Sequence, residues 1–118
     1  MEVKEFYPSS EIWGRVEEGI INESISFVCI ITDEGKEINI WGEDLIEKYK
    51  DKDPSPESIY QYIKKTHNIK KIIYIQIIDN NLGDMYYIKE KYIPQIEEIL
   101  KEKIRIVREG KEKYIIFE

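Results

Sequence analysis

Asp79 and Asp84 are the residues whose type and spacing come closest to a chemical site in this chain. They stand in the segment "DNNLGD", directly after an apolar run from Ile72 to Ile78. If that run were a parallel strand, both carboxylates would project at its carboxyl end, where open α/β sheets bind ligands. Carboxylate oxygens are the ligands that Mg²⁺ and Ca²⁺ prefer. Together with Gln76, they would line the pocket of a small enzyme or ligand-binding domain.

A chain reversal is the interpretation that the same segment favours. Its spacing does not match the calcium-binding loop of an EF-hand. Asn80, Asn81 and Gly83 belong to the residue types that tolerate positive φ and build turns, and a second apolar run follows at once. Gln76 lies between two isoleucines, so we expect it to find a hydrogen-bond partner inside the protein. We therefore predict a turn at this point and no metal site.

Other side chains with catalytic potential are few. The chain has one cysteine and one histidine, and it lacks the phosphate-binding loop, the paired-histidine zinc motif and the nucleophile elbow. Cys29 stands in the apolar run "SISFVCII" and is predicted to be buried. His67 falls at the end of a predicted helix, where it stabilises the negative end of the helix dipole. No cofactor is expected, and the sequence favours a protein that is not an enzyme.

The net charge of −6 is distributed unevenly along the chain. Residues 1–59 carry a net charge of −9, whereas residues 60–118 carry +3. Because phosphate affinity comes mainly from lysine and arginine, direct binding of nucleic acid is not expected. The skew predicts a protein partner with a basic or nucleic-acid-binding surface. The alternative is that folding mixes the two halves into an ordinary solvated surface.

Length and hydropathy indicate a single domain that spans residues 1–118. A chain of 118 residues can bury one core without metals or disulfides. No apolar run approaches the roughly 18 residues that a membrane span needs. The opening residues, "MEVKEFYPSSE", lack the apolar stretch of a secretory signal. We therefore expect a cytoplasmic protein that does not bind membranes.

Apolar periodicity and capping residues predict the secondary structure. Ser55 before Pro56 is a helix start, and Asn68 is the matching stop. Residues 85–93 fit a strand or a helix, and the strand is favoured. The predicted helices cover residues 9–19, 42–53, 55–68 and 94–103. The predicted strands cover residues 23–32, 37–41, 70–79 and 85–93, with a final hairpin over 104–118 that turns near 109–111.

These elements predict an α+β domain with a mainly antiparallel sheet of about five to six strands. All helices are expected to pack on one face of the sheet. The strand over 70–79 is apolar on both sides and should be central. The residues predicted to be largely buried are Phe27, Ile31, Ile40, Ile73, Ile75, Ile77, Ile106 and Ile116.

Two groups of residues are candidates for binding a partner. The first is an acidic cluster around the predicted first hairpin and the helix that follows it: Glu34, Glu37, Glu43, Asp44 and Glu47. The second is a group of crowded tyrosines, a residue type that dominates protein–protein hot spots: Tyr86, Tyr87 and Tyr92. An AT-rich genome, which supplies tyrosine codons freely, is a competing explanation for the tyrosines.

Two functions from different classes follow from these features. The first is a small, acidic, non-enzymatic protein that occludes a partner, as inhibitors, immunity proteins and viral anti-defence proteins do. The second is the small enzyme or ligand-binding domain with a pocket around Gln76, Asp79 and Asp84. A flat acidic or aromatic patch would favour the first, and a concave pocket lined by those three residues would favour the second.

Overall fold

A computed structural model describes residues 2–118. Its helices are α1 (Ser9–Ile21), α2 (Gly42–Lys48), α3 (Pro56–His67) and α4 (Ile93–Leu100), with a short 3₁₀ turn at Glu90–Tyr92. Its strands are β1 (Glu2–Phe6), β2 (Ile25–Thr32), β3 (Glu37–Trp41), β4 (Ile72–Asp79), β5 (Gly83–Ile88), β6 (Ile104–Glu109) and β7 (Glu112–Phe117). Within residues 2–118, no helix combines the length and the hydropathy needed to cross a membrane.

The strands form one mixed sheet of seven in the order β3-β2-β4-β5-β1-β7-β6. β1 runs parallel to β5, and the other neighbouring pairs are antiparallel. The α+β class and the mainly antiparallel sheet are confirmed, but five to six strands is too few. Sequence reasoning missed β1, because its sequence "EVKEF" is mostly charged and strands favour β-branched and aromatic residues. The structure accommodates Lys4 in β1 by an ion pair with Asp84 at 3.1 Å.

Helices α1, α2 and α3 cover the first face of the sheet. Side chains alternate along a strand, so Val28 and Ile30 of β2 share this face with Ile75 and Ile77 of β4. These four side chains are at most 1% exposed. The buried helix residues in the same core cluster are Ile12, Trp13, Val16, Ile20, Leu45, Ile59 and Ile63.

Helix α4 lies on the second face, which corrects the expectation that all helices share one face. Ile96 of α4 is fully buried in a second core cluster that includes Ile31 of β2 and Tyr74 of β4. Because β2 and β4 are apolar on both sides, their second face also has to be covered. Helix α4 supplies that cover over part of the face.

Local sequence signals set the bounds of α3 as predicted. The side chain of Ser55 accepts a hydrogen bond from the backbone N–H of Ser58 at 3.1 Å, and Pro56 occupies the first turn. Asn68 ends the helix in the left-handed conformation, with φ of 53°. The predicted helix start and stop are both confirmed.

The structure also shows the conformation of residues 85–93 and of the C-terminal hairpin. The segment over 85–93 is a strand as far as Ile88, followed by the 3₁₀ turn at Glu90–Tyr92. The strand interpretation is therefore confirmed for its first part only. The C-terminal hairpin of β6 and β7 closes at the paired residues Glu109 and Glu112, where the sequence predicted the turn.

Six of the eight residues predicted for the core are buried: Ile31, Ile40, Ile73, Ile75, Ile77 and Ile116. Phe27 and Ile106 are only half-buried, which corrects the prediction for both. Phe27 lies on the second face opposite Trp41 of the edge strand β3, and Ile106 belongs to β6, the opposite edge strand. An edge strand has a neighbour on one side only, so Ile106 keeps more contact with water, and the neighbour of Phe27 on β3 is the exposed Trp41.

Helix α2 begins in direct contact with the backbone of β2. A Cβ at Gly42 would stand 1.9 Å from the carbonyl oxygen of Ile25, far inside van der Waals contact. Only glycine therefore fits as the first residue of α2. This close approach fixes where the first turn of α2, with Glu43 and Asp44, leaves the sheet.

The central position of β4 predicts a large cost for removing one of its side chains. Ile75 is 1% exposed and packs against the helices, so Ile75→Ala should lower the free energy of unfolding by about 2–5 kcal/mol. Ile21 is 61% exposed at the end of α1, so the control Ile21→Ala should change it by about 0.5 kcal/mol or less. Urea unfolding of both variants measures the difference. Similar losses for the two variants would contradict the assignment of β4 to the core.

Candidate functional site

The segment that follows β4 is a turn, as the sequence favours. Asp79 is 3% exposed, and its Oδ1 accepts hydrogen bonds from the backbone N–H groups of Asn81 and Leu82, at 2.8 and 3.0 Å. Its Oδ2 accepts a hydrogen bond from the Ser24 hydroxyl at 3.1 Å. β4 and β5 then pair as an antiparallel hairpin. The carboxylate of Asp79 therefore holds the turn together and ties it to the start of β2.

Asp79 and Asp84 do not form one site. Asp79 follows Ile77 on the first face, whereas Asp84 pairs with Ile78 on the second and binds Lys4. Among residues 2–118, no group of three or more histidine, cysteine, aspartate or glutamate side chains could hold a metal ion. Asp84 does line a shallow cleft of about 270 Å³ with Gln76, but Asp79 is not part of its lining. The pocket expected around all three residues is therefore not assembled.

Gln76 has the internal partner that its place in an apolar strand requires. Its Nε2 donates to the Tyr86 hydroxyl at 2.9 Å, and its Oε1 accepts from the Tyr74 hydroxyl at 3.5 Å. Burial, followed by the neighbouring Tyr86, raises the pKa of Tyr74 far above its ordinary value. The phenol of Tyr74 therefore stays protonated and remains a hydrogen-bond donor. This arrangement satisfies polar groups inside the sheet.

Cys29 and His67 are placed where neither resembles a catalytic group. Cys29 is 4% exposed, as predicted, and its thiol donates to Glu37 at 3.8 Å. Burial and the charge of Glu37 raise the pKa of Cys29 to about 11, so almost no thiolate is present at neutral pH. His67 ends α3, and desolvation followed by the charge of Lys36 lowers its pKa. The two residues sit in different layers, since Cys29 belongs to the second-face cluster.

All five members of the predicted acidic cluster are exposed. Glu34 lies in the turn between β2 and β3, Glu37 begins β3, and the other three lie on α2. None of the five forms an ion pair with any residue in the range 2–118. Two nearby lysines are engaged elsewhere, since Lys36 donates to the carbonyl of His67 and Lys48 lies over the Tyr62 ring. We call this set the acidic rim: Glu34, Glu37, Glu43, Asp44 and Glu47.

An exposed apolar patch lies on the second face of the sheet, at the end of β3 that leads into α2, and sequence reasoning missed it. Trp41 is 59% exposed, and its ring centroid is 5.2 Å from that of Phe27. Phe27 pairs in turn with Ile78, and both are half-buried. We call these three residues the Trp41 patch. The sequence does contain a signal for the exposure of Trp41, because Trp41 lies on the same face of β3 as the polar residues Glu37 and Asn39.

The three crowded tyrosines do not share one surface. Tyr86 is 4% exposed in the second core cluster, so it offers little area to a partner. Tyr87 points to the first face and packs against the first core cluster. Tyr92 is half-buried and accepts a hydrogen bond from Lys71 at 3.1 Å. Adjacent positions in a strand face opposite sides, which separates Tyr86 from Tyr87.

Comparisons with protein-family models, with curated proteins and with solved structures find no match to this chain. Two features of the structure stand out from the surrounding surface. They are the Trp41 patch and the acidic rim, whose carboxylates form no ion pair with the described residues.

The turn assigned to Asp79 predicts a loss of stability when its acceptors are removed. Asp79→Ala leaves three donors without a partner, so the free energy of unfolding should fall by about 1–3 kcal/mol. Asp79→Asn keeps an acceptor oxygen and should cost less. Asp84→Ala removes a partly exposed ion pair and should cost about 1 kcal/mol or less. A rise in melting temperature on adding Mg²⁺ or Ca²⁺ would contradict the structural role of Asp79, if that rise is lost when Asp79→Asn and Asp84→Asn are combined.

The exposure of Trp41 predicts a clear difference between the two tryptophans. Trp13 is 8% exposed, so acrylamide should quench its fluorescence several-fold less efficiently than that of Trp41. Trp13→Phe isolates the signal of Trp41, and Trp41→Phe isolates that of Trp13. Equal quenching in the two single-tryptophan variants would mean that Trp41 is covered in solution.

Proposed function

We propose that this protein is a non-enzymatic binding protein that occludes a basic surface on a partner protein. The observation that carries the proposal is the exposed Trp41, which shares a face of β3 with Glu37 and directly precedes the acidic residues of α2. The acidic rim forms no ion pair with the described residues. Inhibitors, immunity proteins and viral anti-defence proteins act in this way. Such a protein needs no cofactor and works in the cytoplasm, where its partner would be found.

The Trp41 patch can supply the affinity of such an interface. Tryptophan is among the residues most enriched at binding hot spots, and an exposed aromatic pair gains most from being covered. At about 25 cal/mol per Å², burying the exposed part of Trp41 contributes on the order of 3–4 kcal/mol. Phe27 and Ile78 extend the apolar contact on the same face of the sheet. Trp41 is therefore the expected anchor.

The acidic rim sets the chemistry of the partner. Carboxylates that form no ion pair with the described residues attract a surface rich in lysine and arginine, and they raise the rate of encounter. A groove that normally holds nucleic acid has that charge and is therefore the favoured target. The crowded tyrosines contribute less to this interface, because Tyr86 is buried and Tyr87 belongs to the other face.

Reversing part of the rim should slow association with the partner. Partners are first captured on the immobilised protein from cells that express it and identified by mass spectrometry. Glu43→Lys, Asp44→Lys and Glu47→Lys combined should then lower the on-rate by about tenfold or more at low ionic strength. Added salt should steeply lower the association rate of the parent protein. The triple substitution should change the free energy of unfolding by about 0.5 kcal/mol or less. Association rates are measured by surface plasmon resonance.

A matched triple variant separates the rim from overall charge. Glu98, Glu102 and Glu109 are exposed and lie outside the acidic rim, so changing them to lysine alters the net charge by the same amount. This control should retain most of the parent on-rate. Trp41→Ala should mainly increase the off-rate, since it removes contact area and no charge. Equal on-rates for the parent and the rim variant would remove the acidic rim from the mechanism.

A further inference from the structure

A cavity of about 520 Å³ opens on the first face of the sheet, away from the Trp41 patch. The first turns of α1 and α3 form one side of it, and the ends of β4 and β5 form the other. Its volume falls within the range of about 300–1,000 Å³ that is typical of small-molecule sites. None of the residues in the acidic rim or the Trp41 patch lines this cavity. It is therefore independent of the surface to which the proposed function is assigned.

Aromatic rings form much of the cavity wall. Trp13 and Tyr60 lie with their ring centroids 5.3 Å apart, and Tyr87 faces the same space from β5. Ile72 and Ile75 of β4 complete the apolar part of the lining. Rings held in this way present flat apolar surface on which a planar group can stack.

The rim of the same cavity is basic, in a chain whose net charge is −6. Lys70, Lys71 and Lys89 line it, and Lys71 is held by the Tyr92 hydroxyl. Lys70 and Lys89 form no ion pair with a residue between positions 2 and 118. The one acid in the lining within that range is Glu57, which accepts a hydrogen bond from Gln61 at 2.9 Å. Two ammonium groups are therefore available to an anionic ligand.

Hydroxyl groups add hydrogen-bonding capacity between the rings and the lysines. Ser9 and Ser10 line the cavity at the start of α1. Hydroxyls can donate to phosphate oxygens while lysines supply the charge. The cavity thus combines a stacking surface, hydroxyl donors and two cations in one cleft that is open to solvent.

We propose that this cavity binds a small organic phosphate that carries a planar ring, with a nucleoside monophosphate as the representative ligand. The ring stacks against Tyr60, Tyr87 and the edge of Trp13. The phosphate pairs with Lys70 and Lys89 and accepts hydrogen bonds from the serine hydroxyls. This ligand is small and singly phosphorylated, so it does not require the broad basic surface that a nucleic acid needs.

The test is isothermal titration calorimetry of the full chain with the four common nucleoside monophosphates, with adenosine and inorganic phosphate as partial ligands. At least one monophosphate should bind about tenfold or more tightly than either partial ligand, because ring and phosphate contacts act together. No measurable binding of any of the four at millimolar concentration would overturn the proposal. So would equal affinity for inorganic phosphate alone, which would leave the aromatic wall without a role.

Variants assign the binding to this cavity. Lys70→Gln combined with Lys89→Gln should weaken monophosphate binding by about tenfold or more, since both cations are lost. Tyr87→Leu should weaken monophosphate binding while leaving inorganic phosphate unaffected. The control Lys103→Gln with Lys111→Gln removes the same charge at exposed positions outside the cavity and should retain the parent affinity. Equal weakening in the control would show that binding follows net charge, and would overturn the assignment.

Discussion

Burial of β4 on both of its faces is the constraint on which the rest of the structure depends. Ile75 and Ile77 need a cover on the first face, and Tyr74 needs one on the second. Three helices meet the first requirement and α4 meets the second. The single polar residue on the second face of this strand, Gln76, is accommodated because Tyr86 of β5 supplies a hydrogen-bond partner at 2.9 Å. A two-layer arrangement with every helix on one side would leave Tyr74 in water.

The second face of the sheet stays partly uncovered because helix α4 is much narrower than the sheet. Seven strands spaced about 4.8 Å apart make a sheet roughly 29 Å wide, whereas one helix with its side chains is only about 10–12 Å across. Helix α4 therefore covers little more than a third of that width. On the part toward β3, Trp41 stays exposed, and Phe27 and Ile78 beside it are half-buried. The proposed binding function rests on this patch.

Local chemistry was readable from the sequence, and long-range pairing was not. Ser55 and Asn68 mark a helix through contacts within a few residues, so the bounds of α3 were predictable. The placement of β1 between β5 and β7 depends on partners about eighty and a hundred and ten residues away, and no pattern within "EVKEF" reveals them. The cavity could not be predicted from local sequence either, because it brings together Trp13 of α1 and Tyr87 of β5. The exposure of Trp41 was readable in principle, because it shares the polar face of β3.

The footprint of a bound partner tests most directly whether the uncovered part of the second sheet face, around Trp41, is the binding surface. Amide hydrogen exchange of the free protein and of its complex shows which backbone groups the partner protects. We predict that binding of the partner slows amide exchange in β3, in the turn before it and in the first turn of α2, around Trp41. Protection confined to α4, or to the cavity between α1 and α3, would contradict the claim that the uncovered part of the second sheet face is the binding surface.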